Sequence, residues 1–330
     1  MGIAVVDVCP RCAEPVDDPS ANFCEECGFE LGTEPPAMQE CRACGHRYDG
    51  EFCDECGLFP RDPTDHVEVD RGLLAGISDR GHVHARNEDA MSLDARDGVM
   101  AAVVCDGVST VSTPEDASRT AADTALPVLL DTGAGPAEER IVDAVAEAAR
   151  AVTALPRGDR AGPPSCTLVA GIVEPGDDGG ADVTVAWIGD SRAYWLDAEV
   201  PVNSGALTRD HSWAEEMIAA GVLDAETAMS SPQAHGITRW IGADGFTEPE
   251  VGAFHAPGPG VLLICSDGLW NYLPGAADLA AVALPAVEEK GPLAAATALT
   301  ALALDAGGRD NITVVLIPVG LSVGSGRSAP

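Results

Sequence analysis

At 330 residues, 46% hydrophobic and 22% charged, the chain can bury a real core and form one large domain plus an accessory one, which excludes a fibrous or disordered class. Its formal charge of -34, from 53 acids against 19 basic residues of which only Lys290 is a lysine, disfavours nucleic-acid backbone and anionic membrane surfaces. No basic N-terminal region runs into an apolar stretch, and nowhere do about 18 apolar residues pass without a charge, so a cytoplasmic protein that makes no membrane contact is expected.

Residues 1–62 have few long apolar runs and cannot build a core alone. They hold Cys9/Cys12, Cys24/Cys27, Cys41/Cys44 and Cys53/Cys56, four Cys-x-x-Cys pairs among 11 cysteines. Gaps of 11 residues in the first set of four and 8 in the second let each set close a small loop around one tetrahedral ion. Gly28, Gly45 and Gly57 follow three of the pairs and permit the turn that aims backbone amides at thiolate sulfur. The pattern predicts a double zinc ribbon with two structural Zn2+; a redox dithiol is the competing account. His46 is a spare potential ligand. With 4 Arg against 15 acids over residues 1–65, the ribbons are expected to meet a protein partner and not nucleic acid.

A Pro- and Asp-rich stretch about Pro60–His66 reads as a linker, placed at 63–69, ahead of a larger domain at 70–319 and a disordered tail at 320–330. Leu73–Ser78 and Ala90–Leu93 read as strands, with Asp97-Gly98 a hairpin turn. Pro114–Leu130, Glu138–Leu155 and Leu293–Leu304 carry helical spacing, and 156–164, 174–181 and 256–260 read as loops. Several strands follow strands directly, which fits two mostly antiparallel sheets covered by helices better than an alternating parallel sheet. The expected class is α+β, a four-layer αββα sandwich preceded by the small zinc ribbon.

Four acids stand at strand ends. Met100–Cys105 runs into Asp106-Gly107, Val261–Ser266 into Asp267-Gly268, Asp190 follows Val183–Gly189, and Asp310 sits just before Ile312–Ile317. Both Asp-Gly pairs read as opening helices after buried strands, unlike the turn-type pairs at Asp97 and Asp244. Like charges about 4 Å apart repel by roughly 4 kcal/mol even at an effective dielectric near 20, so such a cluster needs protons or cations. Hard divalent ions bound by oxygen are the natural partners.

Around these acids stand Asn87-Glu88-Asp89, Asp106-Gly107-Val108, Cys166-Thr167, Gly189-Asp-Ser-Arg-Ala-Tyr194, Asp210-His-Ser212, Ser266-Asp-Gly-Leu269 and Gly308-Arg-Asp-Asn-Ile-Thr313. In this order they resemble the metal-dependent, type 2C protein serine/threonine phosphatases, bacterial type, over about residues 70–318. The resemblance implies two Mn2+ or Mg2+ ions at one edge of a double-sheet sandwich, with phosphoserine and phosphothreonine proteins as substrates. It implies that Asp106 bridges the ions, that Asp267 and Asp310 complete one site, and that Glu88 with the Gly107 carbonyl completes the other. Asp190 looks like the ligand of a third, weaker ion shared with Asp267. Two cations would neutralise the phosphate and ready a water for attack, so no cysteine nucleophile is needed. Cys105, Cys166 and Cys265 read as core.

Where bacterial relatives usually carry an Arg that grips the phosphate, three residues before Asn87, this chain has His84, with Arg86 two positions on. Either could meet the phosphate, or His84 could give a proton to the leaving alkoxide. Val108 replaces the His that animal relatives often show after Asp-Gly, leaving the general acid unassigned. Leu207–Gly245 resembles the family's flap, with an amphipathic stretch at Trp213–Leu223 that selects substrates or simply packs. The rival reading is a catalytically silent phosphatase-like scaffold that binds a protein partner.

Overall fold

Alternate residues along the central strands face two different cores. The computed structural model describes residues 39–40, 45–48, 53–55, 62–111, 113–157, 162–176 and 180–321, and the chain divides after Arg61 into two units. In the first unit, β1 (Gln39–Glu40) pairs antiparallel with β2 (Arg47–Tyr48), and Tyr48 is buried with Cys53. Cys9, Cys12, Cys24, Cys27, Cys41, Cys44 and Cys56 lie outside the described residues, as does the expected tail from residue 322 onward.

The second unit starts with a correction. The stretch read as a linker is built into the fold: Asp62 caps the helical turn Pro63–Asp65, and β3 (His66–Asp70) pairs along its whole length with β4 (Ala75–Asp79). Val67 and Val69, alternating with polar residues, are the strand signal that neighbouring Pro and Asp obscure.

Next comes the hairpin of β5 (Asp89–Arg96) and β6 (Val99–Asp106), turning through Asp97 and Gly98 at φ 53° and 85°. Both residues thus take the left-handed region that a two-residue hairpin turn demands. Helices α1 (Pro114–Leu129) and α2 (Ala137–Thr153) follow, then β7 (Ser165–Cys166), β8 (Leu168–Pro175), β9 (Ala181–Ile188), β10 (Arg192–Asp197) and β11 (Gly205–Ala206). Short helices α3 (Trp213–Ala219) and α4 (Ala225–Met229) lead to β12 (Ile241–Gly242), β13 (Glu250–Ala256) and β14 (Gly260–Cys265). The chain closes with α5 (Asp267–Trp270), α6 (Ala276–Lys290), α7 (Pro292–Asp305) and β15 (Ile312–Val319).

One sheet has the order β13-β9-β8-β6-β5 and the other β11-β10-β14-β15-β4-β3, every pairing antiparallel. Their facing sides make one core: Ala102 and Val104 of β6 meet Leu262 and Ile264 of β14 and Val315 and Ile317 of β15. The alternate residues turn outward. Ala101, Val103 and Cys105 pack on α1 and α2, whereas Val261, Leu263, Cys265, Val314 and Leu316 pack on α6 and α7. The result is the expected αββα layering, with both sheets buried on both faces. Gly171 of β8 lets the sheets close up, since a Cβ there would stand 2.8 Å from the Leu262 side chain and 2.9 Å from that of Ile264.

Asp267 does open a helix, but Asp106-Gly107 does not: Gly107 bridges Cys166 in an extended arrangement, and α1 begins only at Pro114. Cys105, Cys166 and Cys265 are fully buried core residues. No helix among the described residues is long and apolar enough to cross a membrane.

Candidate active site

Antiparallel register decides which strand ends meet. Asp106 closes β6 directly opposite Asp89, which opens β5. Cys265 at the end of β14 faces Arg192 on one side and Val314 on the other, and Asp79 at the end of β4 faces Ile312. Asp190, Asp267 and Asp310, in the connections next to these ends, therefore share one edge. Asp89 ties the two sheets together there, because its Oδ2 accepts 2.7 Å hydrogen bonds from Ser266 Oγ and Thr313 Oγ1 of the opposite sheet. The Asp106 amide donates to Thr167 Oγ1 at 3.2 Å, and Thr167 is bonded in turn to Ser191 Oγ at 2.8 Å.

The acids sense one another. Burial pushes the Asp106 carboxyl well above the usual range, and the charges of Asp89, Asp267, Asp190 and Asp310 push it further. Asp267 is raised in the same way, by burial and then by Asp190, Asp310 and Asp89. Asp190 is pushed up to about 7 by burial and the Asp210 charge, against the opposing pull of Arg192. Asp89 is pushed up to about 6 by burial, which outweighs its bonds from Ser266 and Thr313. Asp106 and Asp267 nonetheless keep part of their surface open to solvent, as a centre that must receive a substrate requires.

Two carboxylate oxygens, Asp89 Oδ1 and Asp267 Oδ1, are buried without a hydrogen-bond partner, an arrangement that is costly unless a cation or proton serves them. A bond between the Asp106 and Asp89 carboxyls needs a proton on one of the two. This all-oxygen donor set suits Mg2+ or Mn2+ in kind. In position it is not yet closed: among the described residues, no three Asp, Glu, His or Cys side chains are already gathered to hold an ion. Repulsion between ionised carboxylates opposes closer approach until a cation is bound.

Glu88 is held mainly by its backbone. Its amide donates to Asn311 Oδ1 at 2.7 Å, its carbonyl accepts from Gly107 N–H at 3.1 Å, and its carboxylate accepts from Ser109 Oγ. Only glycine fits at 107, where a Cβ would stand 2.5 Å from Pro114 O and 2.8 Å from Glu88 O. Asn311 has no part in the sequence reading beyond its place in a motif. Its Nδ2 donates to Arg80 O at 2.8 Å and Arg86 O at 3.1 Å, so one amide clasps both ends of the loop before Glu88. An Asn beside a strand-end Asp, able to serve amides and carbonyls at once, is the signal that could have marked it.

The two phosphate candidates separate. His84 Nε2 stands 3.2 Å from Asp310 Oδ1, whereas Arg86 extends to Glu115 Oε1 of α1 at 2.8 Å. Arg192 grips Asp210 with both arms of its fork, at 2.8 and 2.7 Å, and lies 3.7 Å over the Trp270 ring, whose indole N–H donates to Asp190 O at 2.9 Å. His211 accepts from Gly189 N–H at Nδ1 and fixes the start of the 207–245 segment. Within that segment Trp213, Ile218 and Leu223 pack on Ala214, Ala228 and Ala234, so these apolar side chains serve a small local core.

The double-sheet sandwich with acids at one edge is the architecture the sequence motifs imply for metal-dependent phosphatases. Residues 79–302 match protein phosphatase 2C, and the chain belongs to that family. It is 34% identical to the serine/threonine phosphatase stp of Listeria innocua over 152 residues, covering 46% of this chain and 55% of that protein. Against the serine/threonine protein phosphatase PstP of Mycobacterium tuberculosis it is 30% identical over 246 residues, 74% of this chain and 44% of that one. The chain thus spans about half the length of the curated relatives it matches. Among solved structures, the PPM Ser-Thr phosphatase MsPP of Mycobacterium smegmatis in complex with cacodylate is 32% identical with a TM-score of 0.57, over 75% of this chain and 98% of that one. The catalytic domain of PstP in complex with two manganese ions is 27% identical with a TM-score of 0.56, over 76% and 98%.

Proposed function

We propose that this chain hydrolyses phosphoserine and phosphothreonine esters in proteins, using divalent cations held by its edge carboxylates. The observation that carries this reading is the shared neighbourhood of Asp89, Asp106, Asp190, Asp267 and Asp310, drawn from both sheets and containing two unpartnered buried oxygens. Membership of the protein phosphatase 2C family and likeness to a relative solved with manganese support it. In this reading Asp106, Asp267 and Asp310 would hold one cation, and Asp106, Glu88 and the Gly107 carbonyl would hold a second. Asp190 with Asp267 serves a third. Bound Mn2+ or Mg2+ supplies charge neutralisation at the phosphate and lowers the pKa of water.

The chain's own groups do the rest. Asp89 Oδ1, buried without a donor, would accept a proton or hydrogen bond from a water held in the cluster. Asn311 fixes the Glu88 backbone. His84, 3.2 Å from Asp310 Oδ1, is the candidate to give a proton to a leaving alkoxide. The thiols of Cys105 and Cys265 are pushed up by burial and stay protonated, so they are poor nucleophiles.

The test is manganese-dependent phosphate release from a phosphothreonine peptide by the full chain and by Asp267→Asn. Loss of one such electrostatic stabiliser is expected to lower kcat by roughly 10²–10³. Equal rates, or no turnover at any Mn2+ concentration, would instead indicate the silent scaffold. For residues 1–62 the reading remains two four-cysteine zinc ribbons that dock a protein partner, in a protein that works in the cytoplasm. Metal analysis of the purified chain should return about two zinc ions and Cys41→Ser about one; a zinc-free protein would remove the ribbons from the account.

A further inference from the structure

The loop 80–89 carries His84, Arg86 and Glu88, yet its own residues make little of the structure that holds it. Besides Asn311, which bonds Arg80 O and Arg86 O, and Gly308 O, which accepts from His82 N–H, its support comes from the segment immediately after the first unit. Arg80 and Asp65 are both buried, 5% and 2% exposed, and Arg80 Nη1 lies 3.2 Å from Asp65 Oδ2. The same Nη1 donates to Ala85 O at 3.2 Å in the middle of the loop, and Arg80 N–H donates to Asp65 O at 2.8 Å. Arg80 Nε finds no acceptor, so the side chain is anchored from its Nη1 end. At the far foot, Asn87 Nδ2 donates to Thr64 O at 3.2 Å and to Ser78 Oγ at 2.8 Å. Both feet and the middle of the loop are therefore fastened, directly or through Arg80, to residues 64–65. Asp65 is itself fixed by the reciprocal cap with Asp62, whose amide donates to Asp65 Oδ2 at 3.0 Å.

We propose that Asp65 and Arg80 form a positioning pair that sets the 80–89 loop, and through it the Glu88 carboxylate, for cation binding. The inference rests on the reading of Glu88 as a ligand. A buried ion pair is a poor source of net stability, because desolvating both charges offsets most of their attraction. What such a pair supplies well is a fixed geometry, and this one reaches the loop that carries Glu88 through Ala85 O. Asp65 thus works as a structural arm of the site although it is remote in sequence from every motif.

The test uses the full chain. Asp65→Asn with Arg80→Met removes both charges, keeps an acceptor for Asp62 N–H and approximately preserves volume, but cannot reach Ala85 O. A purely structural pair would leave this double variant normal in every respect once its Tm matches the parent. The proposal expects near-parental Tm, faster amide exchange over residues 80–89, and Mn2+ binding weakened about tenfold at one class of site by calorimetry, within the 10–100-fold usual for groups that orient ligands. Should the double variant fold poorly, Arg80→Lys, which keeps the charge but is too short to serve Asp65 and Ala85 together, should give the same direction of change. Glu88→Gln is the reference: if it leaves Mn2+ binding intact, the ligand assignment has failed. If Glu88→Gln weakens binding while loop exchange and Mn2+ affinity of a well-folded Asp65/Arg80 variant stay parental, the positioning proposal is overturned.

Discussion

Asp106 illustrates the tension a single residue can hold. Its carboxyl is raised by burial and by four neighbouring acids, so in the absence of cations its charge works against folding. An amide of the same shape removes that charge and keeps the packing. Asp106→Asn in EDTA is therefore expected to melt above the parent, by about 2–4 °C for each kcal/mol of repulsion relieved in a domain of this size. With saturating Mn2+ the order should reverse, because only the parent gains the stabilisation that ligand binding confers. A variant that melts lower than the parent in EDTA would show that the acids do not repel as the geometry indicates. With the role proposed for it, the same residue would exemplify a stability–function trade-off, in which a group unfavourable to the fold is kept for its chemistry.

At the scale of elements, β3 and β4 are joined at the active edge by His66, whose Nδ1 lies 2.6 Å from Asp79 Oδ2. Desolvation lowers the His66 pKa, but its bonds to Asp79 and Glu68 prevail and hold it above the ordinary 6.5. Folding thus favours the imidazolium. Its contribution is complete below the unfolded value of about 6.5 and is lost as pH rises through the higher folded value. His66→Gln should accordingly melt below the parent near pH 6, with the gap narrowing as pH rises through the higher folded value; a gap independent of pH would exclude the charge as its source.

Much of this layer of organisation is legible in the sequence. The unbroken apolar runs of β6, β14 and β15 and the Asp97-Gly98 turn are local, and strand-end acids mark where those strands start or stop. Other elements are not legible for physical reasons. Helix α6 is Ala- and Leu-rich around most of its circumference and contains Pro285, so it lacks a clean polar face. Strand β3 hides its two valines among charges, and β13 is an edge strand whose alternation is weakened by Gly252 and Ala253. At the site, the four strand-end Asp were readable from local sequence, whereas Asn311, Thr313 and Asp65 act through partners more than 200 residues away or across a turn, which no spacing rule registers. His84 and Arg86 differ by two positions, and only the fold shows that one faces Asp310 and the other α1.

For the whole molecule, the decisive arrangement is that the acids come from both slabs of the sandwich. Asp106 and Asp89 belong to one sheet and Asp267 and Asp310 to the other, with Asp89 riveted across by Ser266 and Thr313. The distance between the slabs is set elsewhere, by the side chains that interleave in the middle, including Leu262 and Ile264 against bare Gly171. The central hydrophobic filling therefore acts as a shim under the acidic edge: a methyl group inserted there alters the clearance between two halves of a cluster it never touches. Drift in such interior positions thus moves the acids relative to one another as well as shifting the melting point, and distant apolar changes become a means of tuning the proposed site.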